Sequence, residues 1–192
     1  MDISIEISGR HAHLCQRDLE KLFGINYKLK KLRDLTLIGE FAAQETLILK
    51  NGEQEIGGVR IIGPLREQTQ VEVSLTDIFR LKMEPVIRSS GDLNETPGII
   101  LIGPNGQVRL EQGVIVAQRH IHLDAKTARD WGLKHGDLVS VETKGKRGLV
   151  FHQVLIRVAD NYRPCMHLDT DEGNACAITK KGNGKVLLNF QG

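Results

Sequence analysis

Ile3, Ile5 and Ile7 alternate with Asp2, Ser4 and Glu6, a period of two that predicts a strand with one apolar face. Val114-Ile115-Val116 is a second apolar run of strand length. Between them, Thr46-Leu47-Ile48-Leu49 reads as a strand turned by Lys50-Asn51-Gly52, and Val59-Arg60-Ile61-Ile62 as one stopped by Gly63-Pro64. Val71 and Val73 share a face against Gln70, Glu72 and Ser74, and Ile99 to Ile102 lead into a turn at 103–106. Further on, residues 136–143 form a strand turned at Lys144-Gly145-Lys146, followed by Leu149-Val150-Phe151 and Val154 to Val158 as two more. Helical signals are few. Cys15 to Phe23 is closed by Gly24, and Ala125 to Trp131 lies between an Asp124 N-cap and Gly132. Many short strands with frequent turns predict a mainly β fold with short helices, a barrel or sandwich rather than a parallel α/β sheet. The stretch from Ser89 to Gly98 reads as a linker, dividing a first half (1–88) from a second (99–192).

Composition narrows the function classes. A net charge of +2 with 26% charged residues leaves no footprint for nucleic acid or an anionic membrane, and no apolar run has the length of a membrane span. Aromatics are 4%, so the core must be built from Leu, Ile and Val. Cys15, Cys165 and Cys176 are an odd number without paired spacing, which points to free thiols in a reducing compartment. The patch from Lys28 to Arg33 is either a solvated face or a seat for a polyanion.

The chemistry lies in a repeat. Arg10-His11-Ala12-His13-Leu14 recurs as Arg119-His120-Ile121-His122-Leu123. On a strand, residues i and i+2 share a face roughly 6–7 Å apart, so each His-x-His pair can converge on one metal ion. Each copy reads as strand, His-x-His, short helix. Laying the halves over one another sets Glu72 on His167 and Thr76-Asp77 close to Asp171-Glu172, so each pair gains a third ligand: Glu72 for the first and His167 for the second. Both are ordinary zinc ligands. Cys15 and Cys165, close to the motifs, are either ligands or nucleophiles or simply small buried hydrophobes. His135 and His152 fall outside the motifs and are expected in surface or loop roles. Asp169 and Asp171 either brace ligand imidazoles or occupy a turn.

With these residues laid out, the chain closely resembles the PduL-type phosphate acyltransferases, or phosphotransacylases. The resemblance runs from Ile5 to about Ala177. It rests on Ser-Gly-Arg-His-Ala-His-Leu at 8–14, Phe-Ala-Ala-Gln-Glu-Thr at 41–46, Gly-Pro-Leu-Arg-Glu-Gln-Thr-Gln-Val-Glu-Val-Ser at 63–74, Gly-Val-Ile-Val-Ala-Gln-Arg-His-Ile-His-Leu at 113–123 and Met-His-Leu-Asp-Thr-Asp-Glu-Gly-Asn-Ala at 166–175. It implies two β-barrel domains related by approximate symmetry, with chain segments exchanged between them and a two-zinc site between the two. It implies interconversion of acyl-CoA plus phosphate with acyl phosphate plus coenzyme A, the acyl group being propanoyl or acetyl, by direct attack of phosphate. The implied zinc ligands are His11, His13 and Glu72 for one ion and His120, His122 and His167 for the other. The implied phosphate contact is Arg66, and the implied coenzyme A contacts are Ser8, Gly9, Arg10, Arg60 and Asn174.

Gly173 stands where alanine is expected and Leu75 where a basic residue is expected. Only seven residues precede Ser8. An N-terminal extension of the kind that takes family members into microcompartments is therefore not expected, and a cytoplasmic enzyme is, with a homo-oligomer compatible. Two rival functions fit the same ligands. One is a zinc-dependent acyl-CoA hydrolase, in which water replaces phosphate. The other is a non-catalytic module with structural zinc, although such sites usually close with four protein ligands and three per cluster are counted here.

Overall fold

The computed structural model describes residues 1–188. In chain order its elements are β1 (Asp2–Ile7), β2 (His11–His13), α1 (Gln16–Phe23), β3 (Lys31–Asp34), β4 (Phe41–Asn51), β5 (Gln54–Gly63), β6 (Gln70–Glu72), α2 (Leu75–Arg80), β7 (Ile87–Arg88), β8 (Ile99–Ile102), β9 (Gln107–Leu110), β10 (Val114–Ala117), β11 (His120–Leu123), α3 (Ala125–Trp131), β12 (Leu138–Thr143), β13 (Val150–Val158), β14 (Cys165–Leu168), α4 (Thr170–Ala175) and β15 (Lys181–Leu187). The mainly β reading with short helices holds. No described helix is long and apolar enough to cross a membrane.

The chain divides into two compact units, one of residues Met1–Gly9 with Gln118–Gly192 and one of Arg10–Ala117. In the first, six strands close a barrel in the order β1-β14-β11-β13-β12-β15, with β15 returning to β1. In the second, the sheet runs β7-β10-β6-β2-β5-β4-β8-β9, with β3 on β4, and curls without closing.

The boundary expected at 89–98 is therefore displaced. That segment lies inside the Arg10–Ala117 unit, where Leu93 and Thr96 are buried and β8 continues the sheet by pairing with β4. Polar composition alone suggested a linker, but Thr96 donates to the Leu93 carbonyl and accepts from the Gly113 amide, which fixes the turn. The strand before each His-x-His motif leaves its own half. β1 joins the unit that holds β11, and β10 joins the unit that holds β2. The reason is packing. Ile3 and Ile5 are buried among Ile121, Leu123, Met166 and Leu168, whereas Val114 and Val116 are buried among Ala12, Leu14, Val71 and Val73. Each such aliphatic side chain removed from water is worth roughly 1.5–3 kcal/mol, so the exchanged strands are integral to their cores.

The helices end where expected. Gly24 closes α1, and Asp124 caps α3, its side chain accepting from the Thr127 amide, with Gly132 in the left-handed region at φ 68°. The two strands expected at 149–151 and 154–158 are one, β13, because Gln153 takes a left-handed φ of 56° inside it and lets the strand continue. Gly173, in α4, has a close-packing reason. A Cβ there would meet the Ile178 carbonyl oxygen at 2.6 Å and Ile7 Cδ1 at 2.7 Å. Leu75 is half exposed at the start of α2, and the basic patch runs into the exposed strand β3.

Candidate metal centres

In both units the His-x-His strand is antiparallel to the strand carrying the third candidate ligand. On β2 and β6, His11 faces Glu72 and His13 faces Gln70. On β11 and β14, His120 faces His167 and His122 faces Cys165. The intervening residues, Ala12 and Ile121, are fully buried in their cores, so each pair of imidazoles projects from the opposite face.

In the Arg10–Ala117 unit, one ligand-type atom each of His11, His13 and Glu72 lies within 4.8 Å of the others. His11 Nε2 is 3.6 Å from Glu72 Oε2, and the His11 and His13 rings meet edge-on at 5.1 Å. Burial lowers His13 to a pKa of about 3, with the charges of His11 and Arg66 acting in the same direction, so its imidazole is neutral at pH 7 and holds a lone pair. Its Nδ1 is buried with no hydrogen-bond partner among the described residues. The neighbourhood is polar. Gln70 Nε2 donates to Glu72 Oε1 at 2.6 Å and to Ser90 Oγ at 2.9 Å, while Gln70 Oε1 accepts from the Gly91 amide at 2.8 Å. Arg66 Nη1 donates to Ser90 Oγ at 3.0 Å, and Arg66 Nη2 stands 3.6 Å from Glu40 Oε1. Burial pushes the Glu40 carboxyl up, against the opposing pull of Arg66.

In the barrel unit, His120, His122 and His167 also lie within 4.8 Å of one another by their ligand atoms, with ring centroids 4.6, 5.3 and 4.9 Å apart. His120 Nδ1 sits 2.7 Å from the Gln118 carbonyl oxygen. A carbonyl only accepts, so this bond places a proton on Nδ1 and makes Nε2 the ligand-type atom of the ring. His122 is held well below the ordinary histidine range by burial, then by His120, His167 and Arg157, and its Nδ1 is buried without a hydrogen-bond partner among the described residues. Tyr162 covers its ring at 4.2 Å. Three converging imidazoles in the barrel unit, and two imidazoles with a carboxylate in the other, are donor sets of the kind a divalent metal takes.

Glu6, Cys165 and His167 form a third group within the same reach, with Glu6 held by Lys181 at 2.6 Å. Burial pushes the Cys165 thiol up to about 11, so it is protonated at neutral pH and poorly suited to attack.

A model of the phosphate propanoyltransferase family matches residues 4–179. A phosphate propanoyltransferase of Thermotoga maritima is 47% identical over 98% of this chain and 90% of its own. Proteins of the same name from Rhodopseudomonas palustris (47%, 92% and 78%) and Sebaldella termitidis (42%, 96% and 88%) match as broadly. The chain belongs to the phosphate propanoyltransferase family. It is accordingly an enzyme of the phosphate acyltransferase class.

The other residues expected in this phosphate propanoyltransferase family member fall as follows. Arg10 is bound to Asp77, Nε donating to both carboxylate oxygens at 3.0 Å and Nη2 lying 2.7 Å from Oδ1. Arg60, opposite His11 on β5, spends Nη1 on the carbonyls of Ala43 and Gln44. Ser8 donates its amide to the Leu168 carbonyl, and Gly9 and Asn174 are exposed. Ser8, Gly9 and Asn174 thus belong to one unit and Arg10 and Arg60 to the other.

Asp169 is the N-cap of α4, its Oδ1 accepting from the Glu172 amide. His152 pairs with Ser140, and His135 is exposed. Cys15 caps α1 without a side-chain bond and accepts from Thr69. Sequence reading missed Gln70, Ser90, Glu40, Arg157, Tyr162 and Glu6. Gln70 and Glu6 were within reach, Gln70 through its i, i+2 relation to Glu72 and Glu6 through strand alternation.

Proposed function

We propose that this enzyme interconverts propanoyl-CoA or acetyl-CoA plus inorganic phosphate with the acyl phosphate plus coenzyme A, using His11, His13 and Glu72 and, separately, His120, His122 and His167 as zinc ligands. What carries the reading is the pair of matched triads. The same register positions on corresponding strands hold three converging donors in each unit, and three donors leave coordination open. When bound, zinc supplies Lewis acidity for the departing sulfur and for phosphate oxygens.

The chain's own residues set up a direct displacement. A phosphate oxygen forms the new bond to the acyl carbon, the C–S bond breaks, and coenzyme A leaves with the sulfur electron pair. Arg66 presents a planar fork to the phosphate, oriented by Ser90 on one side and Glu40 on the other. An acyl-enzyme on Cys165 is disfavoured, since that thiol is buried and protonated. Three free, buried cysteines suit a cytoplasmic setting.

The test is coenzyme A release from acetyl-, propanoyl- and butanoyl-CoA, with and without phosphate, before and after chelation. Release that requires both phosphate and metal, from a chain that remains folded when stripped, is the expected result. Phosphate-independent release would make the enzyme a hydrolase, and unfolding on chelation would make the metal structural.

A further inference from the structure

We infer that the barrel unit carries a second metal seat, made of Glu6, Cys165 and His167, which takes a thiophilic dication such as Cd2+ and in doing so withdraws His167 from the histidine triad. One ligand-type atom of each of these residues lies within 4.8 Å of the others. The backbone puts them there. Glu6 on β1 is the parallel register partner of His167 on β14, and Cys165 stands two residues before His167. All three side chains therefore share one face, while Ile5 and Met166 enter the core from the other. His167 thus belongs to two donor sets. With His120 and His122 it completes three imidazoles, and with Glu6 and Cys165 it completes a mixed set of carboxylate, sulfur and nitrogen.

The two sets differ in charge and softness. Three imidazoles are neutral and suit zinc without the loss of a proton. Glu6 and a Cys165 thiolate carry two negative charges, which balance a dication where Cys165 is fully buried. A coordinating metal removes the thiol proton, which passes to solvent as the bond to sulfur forms. Two existing contacts give way. The thiol leaves the Met166 carbonyl, to which it donates at 3.6 Å, and Lys181 releases Glu6 Oε1, which it holds at 2.6 Å. The Lys181 side chain is 77% exposed, so that ion pair opposes the metal only weakly. Zinc finds the imidazoles ready as they stand, whereas a softer cation gains more from sulfur and takes the other seat.

The withdrawal of His167 rests on the histidine triad holding zinc, as proposed above; the seat itself does not. Cadmium chloride is titrated into the enzyme and into Cys165→Ser, Glu6→Gln and Lys181→Met. The readouts are the ultraviolet thiolate-to-cadmium charge-transfer absorbance, the Kd for Cd2+, and the zinc left on the desalted protein by elemental analysis. Zinc content before titration is measured separately, so a triad that never held zinc is distinguished from one that keeps it. The parent should develop the band at one equivalent of Cd2+ per chain and lose one zinc. Cys165→Ser should lose the band. Glu6→Gln should keep it and bind Cd2+ about tenfold more weakly, since a neutral amide replaces a charged donor. Lys181→Met should bind Cd2+ roughly two- to fivefold more tightly, because the competing ammonium is gone. If Cys165→Ser fails to fold, the opposite shifts in Glu6→Gln and Lys181→Met decide. Zinc exchange without the band, or a band that survives in Cys165→Ser, would put Cd2+ in a triad or on another thiol and overturn the inference. An unchanged Kd in Glu6→Gln would do the same. A Cys165-dependent band with all zinc retained would leave the seat standing and overturn the shared use of His167.

Discussion

The two triads stand on the same backbone plan and differ in where the carboxylate sits. Across the Arg10–Ala117 sheet, one row reads Ile115, Glu72, His11, Arg60 on β10, β6, β2 and β5. Across the barrel, the matching row reads Glu6, His167, His120, Leu155 on β1, β14, β11 and β13. Each row contains one acid. In the first it occupies the ligand position; in the second it has moved one strand outward, and an imidazole takes its place. The next row differs as well, with Gln70 opposite His13 and Cys165 opposite His122. A dication would thus keep roughly one net positive charge at the first triad and two at the second. Duplication fixes strand pairing and the direction in which side chains project, while single substitutions at fixed registers set charge. The two triads therefore share a backbone plan and differ in charge.

The strongest way to break this comparison is to remove one donor from each triad. Glu72→Ala and His122→Ala should each lower the phosphate-dependent rate by about a thousandfold, since metal stabilisation of developing charge is worth several kcal/mol. Each should also lower bound metal by one equivalent per chain, measured by elemental analysis, with the other triad still loaded. Loss of both metals from a single substitution would mean that the two sites do not load separately, and a rate close to the parent's would remove the residue from the ligand set.

A milder change sharpens the contrast between Gln70 and Cys165. Gln70 fixes the Glu72 carboxylate through a 2.6 Å hydrogen bond, whereas Cys165 turns its thiol to the Met166 carbonyl at 3.6 Å. Gln70→Ala should weaken metal at the first triad by roughly 10–100-fold in chelator competition, the usual cost of losing a partner that orients a ligand. Cys165→Ala should leave both affinities within about twofold, because the side chain supplies no comparable brace. Equal effects would mean that the two registers do the same work after all.

Strand alternation made β1 legible, and the repeated His-x-His wording made both triads legible down to the third donor, because the period of two dictates which side chains share a face. Alignment of the halves also set Asp77 near Glu172, and the fold gives that a purpose: Arg10 grips Asp77 and Arg119 grips Glu172, each acid belonging to a capping box. Three features were hidden. The resemblance implied that segments exchange between units, but which strands do so, β1 and β10, depends on which core each enters, a non-local matter. Burial of Gln70, Glu72 and Ser74 overrides the solvated polar face that alternation suggested for that strand. Ser90 carried no pattern at all, since its importance comes from two donors that reach it from β6 and from the turn before it.

The smallest expected effect separates the two capping boxes. Burial pushes Glu172 up to about 7, with Asp169 adding to the shift and Arg119, at 3.2 Å, opposing it. A carboxyl whose folded-state pKa lies above its unfolded value keeps a proton that the unfolded chain has already lost. Its contribution to stability therefore declines as pH rises from about 4.5 to about 7, and levels off above. Glu172→Gln has no proton to lose and can still accept the Asp169 amide bond, which Glu172 holds at 3.2 Å. The melting temperature of Glu172→Gln relative to the parent should rise by roughly 2–5 °C between pH 5 and pH 8, measured by calorimetry at matched metal content. Titrating groups common to both proteins cancel in the difference. A difference that stays flat with pH would mean that Arg119 keeps Glu172 ionised throughout, making the Arg119–Glu172 pair an ion pair like Arg10–Asp77.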